Sequence, residues 1–182
     1  MIDYSHHNHL TFGYGNGLFN EKQAGDSAAY HFTPCTRQAG TFKEECQRTA
    51  ELCYEQAQEV GRDVVELVSG GMDSVAMVEG FVAAGVPFKT ATYAFQHGMN
   101  EHELEHVRAL VEMHKLDHTY LHMDGVKWLK SSEAHEWFHR TNCSELGTLP
   151  LMKLMEHVWF DLGGYPVFGG GDMDIIKKDG LS

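Results

Sequence analysis

Apolar and polar positions change their period several times along the chain, and these changes predict strands alternating with helices. Short runs rich in β-branched and aromatic residues are typical of strands, and they lie at 63–68, 87–95, 117–123 and 165–170. Stretches with helical spacing lie at 73–85, 100–116, 126–140 and 148–162. Within the last stretch, Pro150 is a candidate for the first helical position, where proline is favoured. The alternation implies βαβ crossovers and a mainly parallel sheet.

The first 60 residues have a different pattern. Residues 41–60 have helical spacing, with Thr41 and Glu44 placed to form a capping box and Gly61 placed to end the helix. Residues 1–40 are rich in Gly, His, Asn and aromatic residues. Within them, "HLTFGYGNGLF" and "AAYHFTPC" fit either short strands or ordered loops.

Composition and charge narrow the class of protein. The 182 residues, 42% of them hydrophobic, suffice for one domain with a full core. A net charge of −12 disfavours a nucleic-acid partner, because non-specific affinity for nucleic acid comes from Lys and Arg. The start "MIDYSHHNHL" is not typical of a signal peptide, and the apolar runs are too short for a bilayer. We therefore expect a cytoplasmic protein without a membrane partner and with its four cysteines reduced. None of them are spaced as CxxC, so no four-cysteine zinc framework is expected.

The stretch at 69–74, "SGGMDS", lies between the first predicted strand of the alternation and its helix. Two glycines allow a sharp turn that brings backbone N–H groups close to an anion, and the helix N-terminus adds a positive dipole end. Ser69 and Ser74 add hydroxyl donors. The motif contains neither the lysine of a Walker A loop nor a GxGxxG pattern. Asp73 beside a polyphosphate is explained if a divalent cation lies between them.

"SGGMDS" after "VVELV" resembles the signature of the PP-loop, or N-type, ATP pyrophosphatases. Residues 90–124 are similar to the second strand, second helix and third strand of these enzymes. "YPVFGGGDMD" (165–174) is similar to the fourth strand and glycine-rich loop of the asparagine-synthetase type, usually written G-E-G-x-D-E. A glycine stands here where Glu is common, and the acidic pair of Asp172 and Asp174 is shifted. The asparagine-synthetase-like and queuosine-precursor-synthase-like members are the most similar, although the latter's cysteine cluster is missing.

The resemblance implies a fold and a domain organisation. The fold is α/β, with an open, mainly parallel sheet of about five strands and helices on both faces, the HUP or adenine nucleotide alpha hydrolase-like fold. The expected domain is a single ATP-binding domain over 1–182. Residues 1–60 form an N-terminal extension and helix, and residues 61–175 form the nucleotide-binding core.

The resemblance also implies a chemistry. ATP and Mg²⁺ are the expected cofactors of an AMP- and PPi-forming ligase that adenylates a carbonyl or carboxylate, which ammonia or an amine then attacks. The residues implied for ATP binding are Ser69, Gly70, Gly71, Met72, Asp73, Ser74, Thr92, Tyr93, Gly170 and Gly171. Those implied for catalysis are Asp73, Ser74 and Asp172, and the implied Mg²⁺ ligands are Asp73 and Asp172. The expected partners are a small-molecule acceptor and the nitrogen donor, and a homo-oligomer is one way for a short chain to complete its site.

Two other functions stay open. One is PAPS-reductase-like or sulfur-transfer chemistry, for which Cys143 is the best thiol. The other is a nucleotide-binding regulator without turnover, suggested by the short C-terminus and the altered GGGDMD loop. Two HExxH matches, 102–106 and 135–139, fit a zinc motif. We expect the first to lie on a solvated helix face, with Leu104 and Val107 packing on the sheet.

Overall fold

The structure, a computed structural model, describes residues 10–14, 17–18, 28–32, 38–141 and 148–169. The chain divides into two compact units, residues 1–40 and residues 41–182. In the first unit, strands β1 (Leu10–Tyr14), β2 (Gly17–Leu18) and β3 (Ala28–Phe32) form an antiparallel sheet in the order β2-β1-β3. Strands, rather than ordered loops, therefore form within both candidate segments.

The second unit contains a four-stranded parallel sheet. Its strands are β4 (Asp63–Leu67), β5 (Lys89–Phe95), β6 (His118–Met123) and β7 (Gly164–Val167). The order is β6-β5-β4-β7, so that β4 pairs with β5 on one side and with β7 on the other. The predicted α/β class with a parallel sheet is confirmed, with four strands in the described part of the sheet where about five were expected.

Six helices flank this sheet within the described residues. They are α1 (Phe42–Glu59), α2 (Met72–Ala84), α3 (Glu101–His114), α4 (Gly125–Leu129), α5 (Ser132–Thr141) and α6 (Thr148–Phe160). The capping box is confirmed: the N–H of Glu44 donates to Thr41 Oγ1 at 3.3 Å, and the N–H of Thr41 donates to Glu44 Oε2 at 2.7 Å. Gly61 follows the end of α1 with a φ of 67°.

One helix prediction needs correction. The single helix expected over 126–140 is broken, because Ser131 satisfies two backbone groups that a continuous helix would pair internally. Its hydroxyl donates to the carbonyl of Trp128 at 2.6 Å and accepts from the N–H of Ala134 at 3.2 Å. The stretch expected to be helical over 148–162 forms the helix Thr148–Phe160, so Pro150 lies in its first turn rather than at its first residue. Proline is tolerated there because the N–H groups of a first turn have no intrahelical partner.

Helices cover both faces of the sheet, as predicted. On one face, Val65, Leu67, Ala91 and Tyr93 pack against residues of α4, α5 and α6. On the other, side chains from β4 pack against α1, α2 and α3. None of the helices among the described residues is long and apolar enough to cross a bilayer.

Glu66 is a charged residue type in the centre of this core. It lies on β4 with no exposed surface, and neither carboxyl oxygen has a hydrogen-bond partner among the described residues. Burial disfavours the charged form and raises the pKa of Glu66 from 4.5 to about 9. The side chain is therefore a neutral carboxylic acid at neutral pH.

Candidate functional site

The SGGMDS loop lies where the sheet order reverses. The chain passes from β4 to β5 and β6 on one side and returns to β7 on the other, so the loop after β4 leaves the sheet between its two neighbours. In open α/β sheets, ligands bind in the crevice beyond the carboxyl ends of the strands at this switch point. The position of the loop is therefore that of a ligand site.

A pair of serine hydroxyls holds the loop closed. Ser74 is 4% exposed, and its Oγ accepts a hydrogen bond from the N–H of Ser69 at 3.1 Å. The Ser69 and Ser74 Oγ atoms lie 2.9 Å apart, and the N–H of Gly71 donates to Ser69 Oγ at 3.4 Å. Ser74, predicted as a catalytic hydroxyl, is thus engaged inside the loop, while Ser69 is on its exposed side.

Gly70 lets the loop approach helix α3. Its φ is 79°, and a Cβ built on it would lie 2.7 Å from the backbone oxygen of Glu103 and 3.1 Å from the Cβ of His106. A side chain at this position would meet backbone, which cannot move aside like a flexible side chain. The loop shape is therefore fixed by its contact with α3.

The first turn of α2 presents backbone donors. The N-cap Gly71 has no side chain to cap the helix, and the first intrahelical bond runs from the N–H of Val75 to the carbonyl of Gly71. The N–H groups of Met72 and Asp73 have no intrahelical acceptor at this position of a helix. Met72 is 85% exposed, so this turn is open to solvent. The turn fits an anion.

A cleft of about 220 Å³ adjoins the loop on the β5 side. Ser69, Thr92 and Tyr93 all line it, so the structure brings three of the residues implied for ATP binding into one site. The Tyr93 hydroxyl lies 2.8 Å from His157 Nδ1, and burial, with Glu133 and Glu156 nearby, raises the pKa of Tyr93. Its hydroxyl therefore stays protonated at neutral pH.

Asn100 is a site residue that the sequence analysis missed. It is 8% exposed and lines the cleft; its Nδ2 donates to the carbonyl of Tyr93 at 2.8 Å, and its Oδ1 accepts from the N–H of Phe95 at 3.0 Å. Asn100 thereby fixes the end of β5. An Asn following a Gly soon after a predicted strand was the available signal, since Asn side chains bond nearby backbone.

The segment after β7 meets the first turn of α2. A Cβ built on Gly169 would lie 3.4 Å from the backbone oxygen of Asp73 and 2.4 Å from Met77 Sδ. The start of the second glycine-rich loop therefore lies against the first. Gly170, Gly171 and Asp172, predicted for ATP and Mg²⁺, lie outside the described residues, as do Asp174 and Cys143.

Asp73 fits one half of the predicted Mg²⁺ site. Its side chain is exposed in the first turn of α2, beside the donors that face an anion. Mg²⁺ commonly takes one or two carboxylates together with substrate phosphates and water, so a lone carboxylate here suits a cation that arrives with ATP. In the described part of the chain, no group of three His, Cys, Asp or Glu residues has the arrangement of a metal site.

Helix α3 has the packing predicted for the first HExxH match. Leu104 and Val107 are buried at 3% and 0% exposure, whereas His102 and His106 are exposed. Lys153, on α6, is held by Glu133 at 2.5 Å and Glu156 at 2.7 Å.

Comparisons with known proteins give a weak structural similarity. No protein-family model matches the chain, and no curated protein matches it. A solved structure of NMN synthetase from Francisella tularensis is similar, with 13% sequence identity and a TM-score of 0.47. The match covers 71% of this chain and 54% of that one, so the chain spans about half the length of the synthetase. Similarity at this level supports no conclusion about function.

Proposed function

We propose that this chain is an ATP-dependent enzyme that adenylates a carbonyl or carboxylate oxygen, releases pyrophosphate, and passes the activated carbon to ammonia or an amine. The observation that carries the proposal is the SGGMDS loop at the switch point, continuous with a cleft lined by Thr92 and Tyr93. Adenosine in the cleft places the phosphates over the loop. The resemblance of this motif to PP-loop ATP pyrophosphatases supplies the chemistry.

The loop would bind pyrophosphate mainly through its backbone. The N–H groups of Met72 and Asp73 and the positive end of α2 point to the same place. The described residues that line the cleft include no Lys or Arg, so these residues neutralise little of the phosphate charge. Mg²⁺, held by Asp73 and ATP, would neutralise the charge that develops on the leaving pyrophosphate.

The reaction would have two steps. An acceptor oxygen attacks the α-phosphorus, the bond from that phosphorus to the bridging oxygen breaks, and pyrophosphate leaves. Ammonia or an amine then attacks the adenylated carbon, and AMP leaves with the acceptor oxygen. The chain contributes mainly position and charge stabilisation rather than a covalent intermediate.

The variant Asp73→Asn tests the loop assignment, because its effect on ATP affinity should differ in direction with and without Mg²⁺. With Mg²⁺ present, we expect MgATP to bind at least about tenfold more weakly to the variant, because a cation ligand is lost. With EDTA, ATP alone should bind the variant as well as or better than the wild type, because a repelling carboxylate is gone. Glu79→Gln, on the exposed side of the same helix, is the matched control and should change neither value.

Calorimetric titration measures both affinities, and PPi release with ammonia and a panel of acceptors measures turnover. Equal ATP affinity in wild type and Asp73→Asn under both conditions would contradict the loop assignment. MgATP binding without PPi release for any acceptor would favour the nucleotide-binding regulator over the enzyme.

A further inference from the structure

A second, larger cavity lies on the other side of helix α2. It measures about 510 Å³ and is bounded by α1, by α2 and by the segment Val167–Gly169. Small-molecule sites commonly measure roughly 300 to 1,000 Å³. The cavity is therefore large enough for a metabolite distinct from the nucleotide in the cleft.

This cavity is in contact with the proposed pyrophosphate site. Asp73 and Gly169, which meet at the first turn of α2, both line it. A ligand in the cavity would lie beside the phosphates held by that turn. The cavity therefore has the position required of an acceptor that must reach a nucleotide phosphate.

The lining has a definite chemical character. It is mostly apolar, and its apolar residues include Phe42, Ala76, Met77, Phe81 and Phe168. The charged groups among its described lining residues are both acidic, Glu45 and Asp73, and the described lining includes no Lys, Arg or His. This combination favours an apolar, uncharged or cationic ligand.

The wall behind the lining adds no positive charge among the described residues. The half-buried Cys53 lines the cavity, and its pKa is raised by burial and by the neighbouring carboxyl of Glu66. An anionic group that entered would lose hydration without meeting a cation among the described residues. Burying an unpaired charge is unfavourable, so the described lining disfavours acids.

We infer that this cavity is the acceptor site and that it takes a molecule with an apolar, neutral or cationic body, excluding free acidic amino acids. Its identification as the acceptor site rests on the proposed function, whereas the class of ligand rests on the cavity alone. The inference narrows the proposed acceptor to an uncharged carbonyl, and it separates this chain from amide synthesis on free aspartate, whose carboxylates would meet no cation among the described lining residues.

Two native thiols report on occupancy without any nucleotide. Cys46 and Cys53 both line the cavity and are free cysteines. Their alkylation by iodoacetamide, followed by mass spectrometry, should slow when the cavity is filled. The probes are a matched set: 3-phenylpropanamide, 3-phenylpropylamine and 3-phenylpropanoate. We expect the amide and the amine to slow alkylation of Cys46 at least threefold, and the acid to leave it unchanged.

Two substitutions test whether protection comes from this cavity. Ala76→Phe fills it from α2, and Thr49→Trp fills it from α1. Either should abolish protection by the amide, while the matched variant Ala83→Phe, at an exposed position of α2, should retain it. Equal protection by the acid, protection that survives both filling variants, or thiols that no probe protects would overturn the inference.

Kinetics separate this inference from the proposed function. If no PPi is released but the probes protect as expected, the ligand class stands and the enzyme proposal fails. If PPi is released and Ala76→Phe leaves the KM for the acceptor unchanged, the cavity is not the acceptor site, while the loop assignment stands.

Discussion

Gly70 is the residue at which the SGGMDS loop contacts helix α3, and two properties of glycine allow this contact. Its φ of 79° turns the chain directly after β4, and the absence of a Cβ lets the backbone oxygen of Glu103 approach. The first property costs any other residue about 1–2 kcal/mol. The second adds a clash with backbone. The loop therefore owes its shape to tertiary contact as much as to local preference.

Substituting Gly70 by Ala should separate these two costs. Gly85 also has a positive φ, 68°, but a Cβ there would meet nothing within 4 Å. We expect Gly85→Ala to lower the free energy of unfolding by about 1 kcal/mol and Gly70→Ala to lower it by at least twice as much. Urea denaturation measures both, and equal losses would show that the contact with α3 is unimportant.

For the pair Ser69 and Ser74, the sequence predicted the location of the side chains but not their hydrogen bonds. The motif indicated that Ser69 and Ser74 lie near a phosphate, and the structure places both in the loop. The sequence did not indicate that Ser74 is buried and bonded to Ser69. Hydroxyl direction depends on which partner lies within about 3 Å, and residue spacing does not specify it.

At the scale of elements, helix ends were predictable where the capping residues are local. Thr41 and Glu44 are three apart, and both bonds of the capping box form within the first turn of α1. The break at Ser131 was missed because the apolar period continues across it, whereas the break depends on one hydroxyl that bonds to both sides. The period of apolar residues identifies the buried face of a helix better than it identifies where the helix ends.

The capping box is expected to stabilise α1 measurably. Thr41→Ala removes the acceptor for the N–H of Glu44, and we expect a loss of about 1 kcal/mol in the free energy of unfolding. Thr49→Ala is the matched control on the same helix. Its hydroxyl bonds the carbonyl of Glu45 inside the helix, an arrangement that adds little stability. Thermal unfolding followed by circular dichroism compares the two, and equal losses would contradict the assignment of the cap.

For the whole molecule, the alternation of strands and helices in the sequence predicted the fold class, but it did not predict the position of the larger cavity. The cavity depends on α1 packing across α2, where the side-chain amide of Gln47 bonds the carbonyl of Ala83 at 2.9 Å. These residues lie 36 apart in the chain, beyond the reach of any local pattern. Likewise, short apolar runs predicted the strands, while the placement of β7 beside β4 depends on pairing between distant segments.

The buried acid in β4 should make global stability depend on pH. Folding raises the pKa of Glu66 from 4.5 to about 9, so its stabilising contribution is complete below pH 4.5 and is lost as the pH rises toward 9. We expect the free energy of unfolding to fall by up to about 1.4 kcal/mol per pH unit in this window.

Glu66→Gln should flatten this dependence, because an amide does not titrate. Glu105→Gln, at an exposed position of α3, should retain it. Urea denaturation at pH 5, 7 and 9 measures the slopes. A wild-type slope that persists in Glu66→Gln would assign the dependence to other groups.

The pairing of β7 with β4 has a consequence for how the chain folds. Asp63 pairs with Gly164, about 100 residues later. Forming this pair therefore carries the conformational-entropy cost of closing a long loop. Pairings of this kind raise contact order and slow folding. On the ribosome, the strands and helices from β4 to β6 emerge first and can assemble while β7 is still being made. Gly169, which completes the contact with Asp73, arrives after them. The nascent chain would therefore complete the proposed nucleotide site in one late event rather than by degrees.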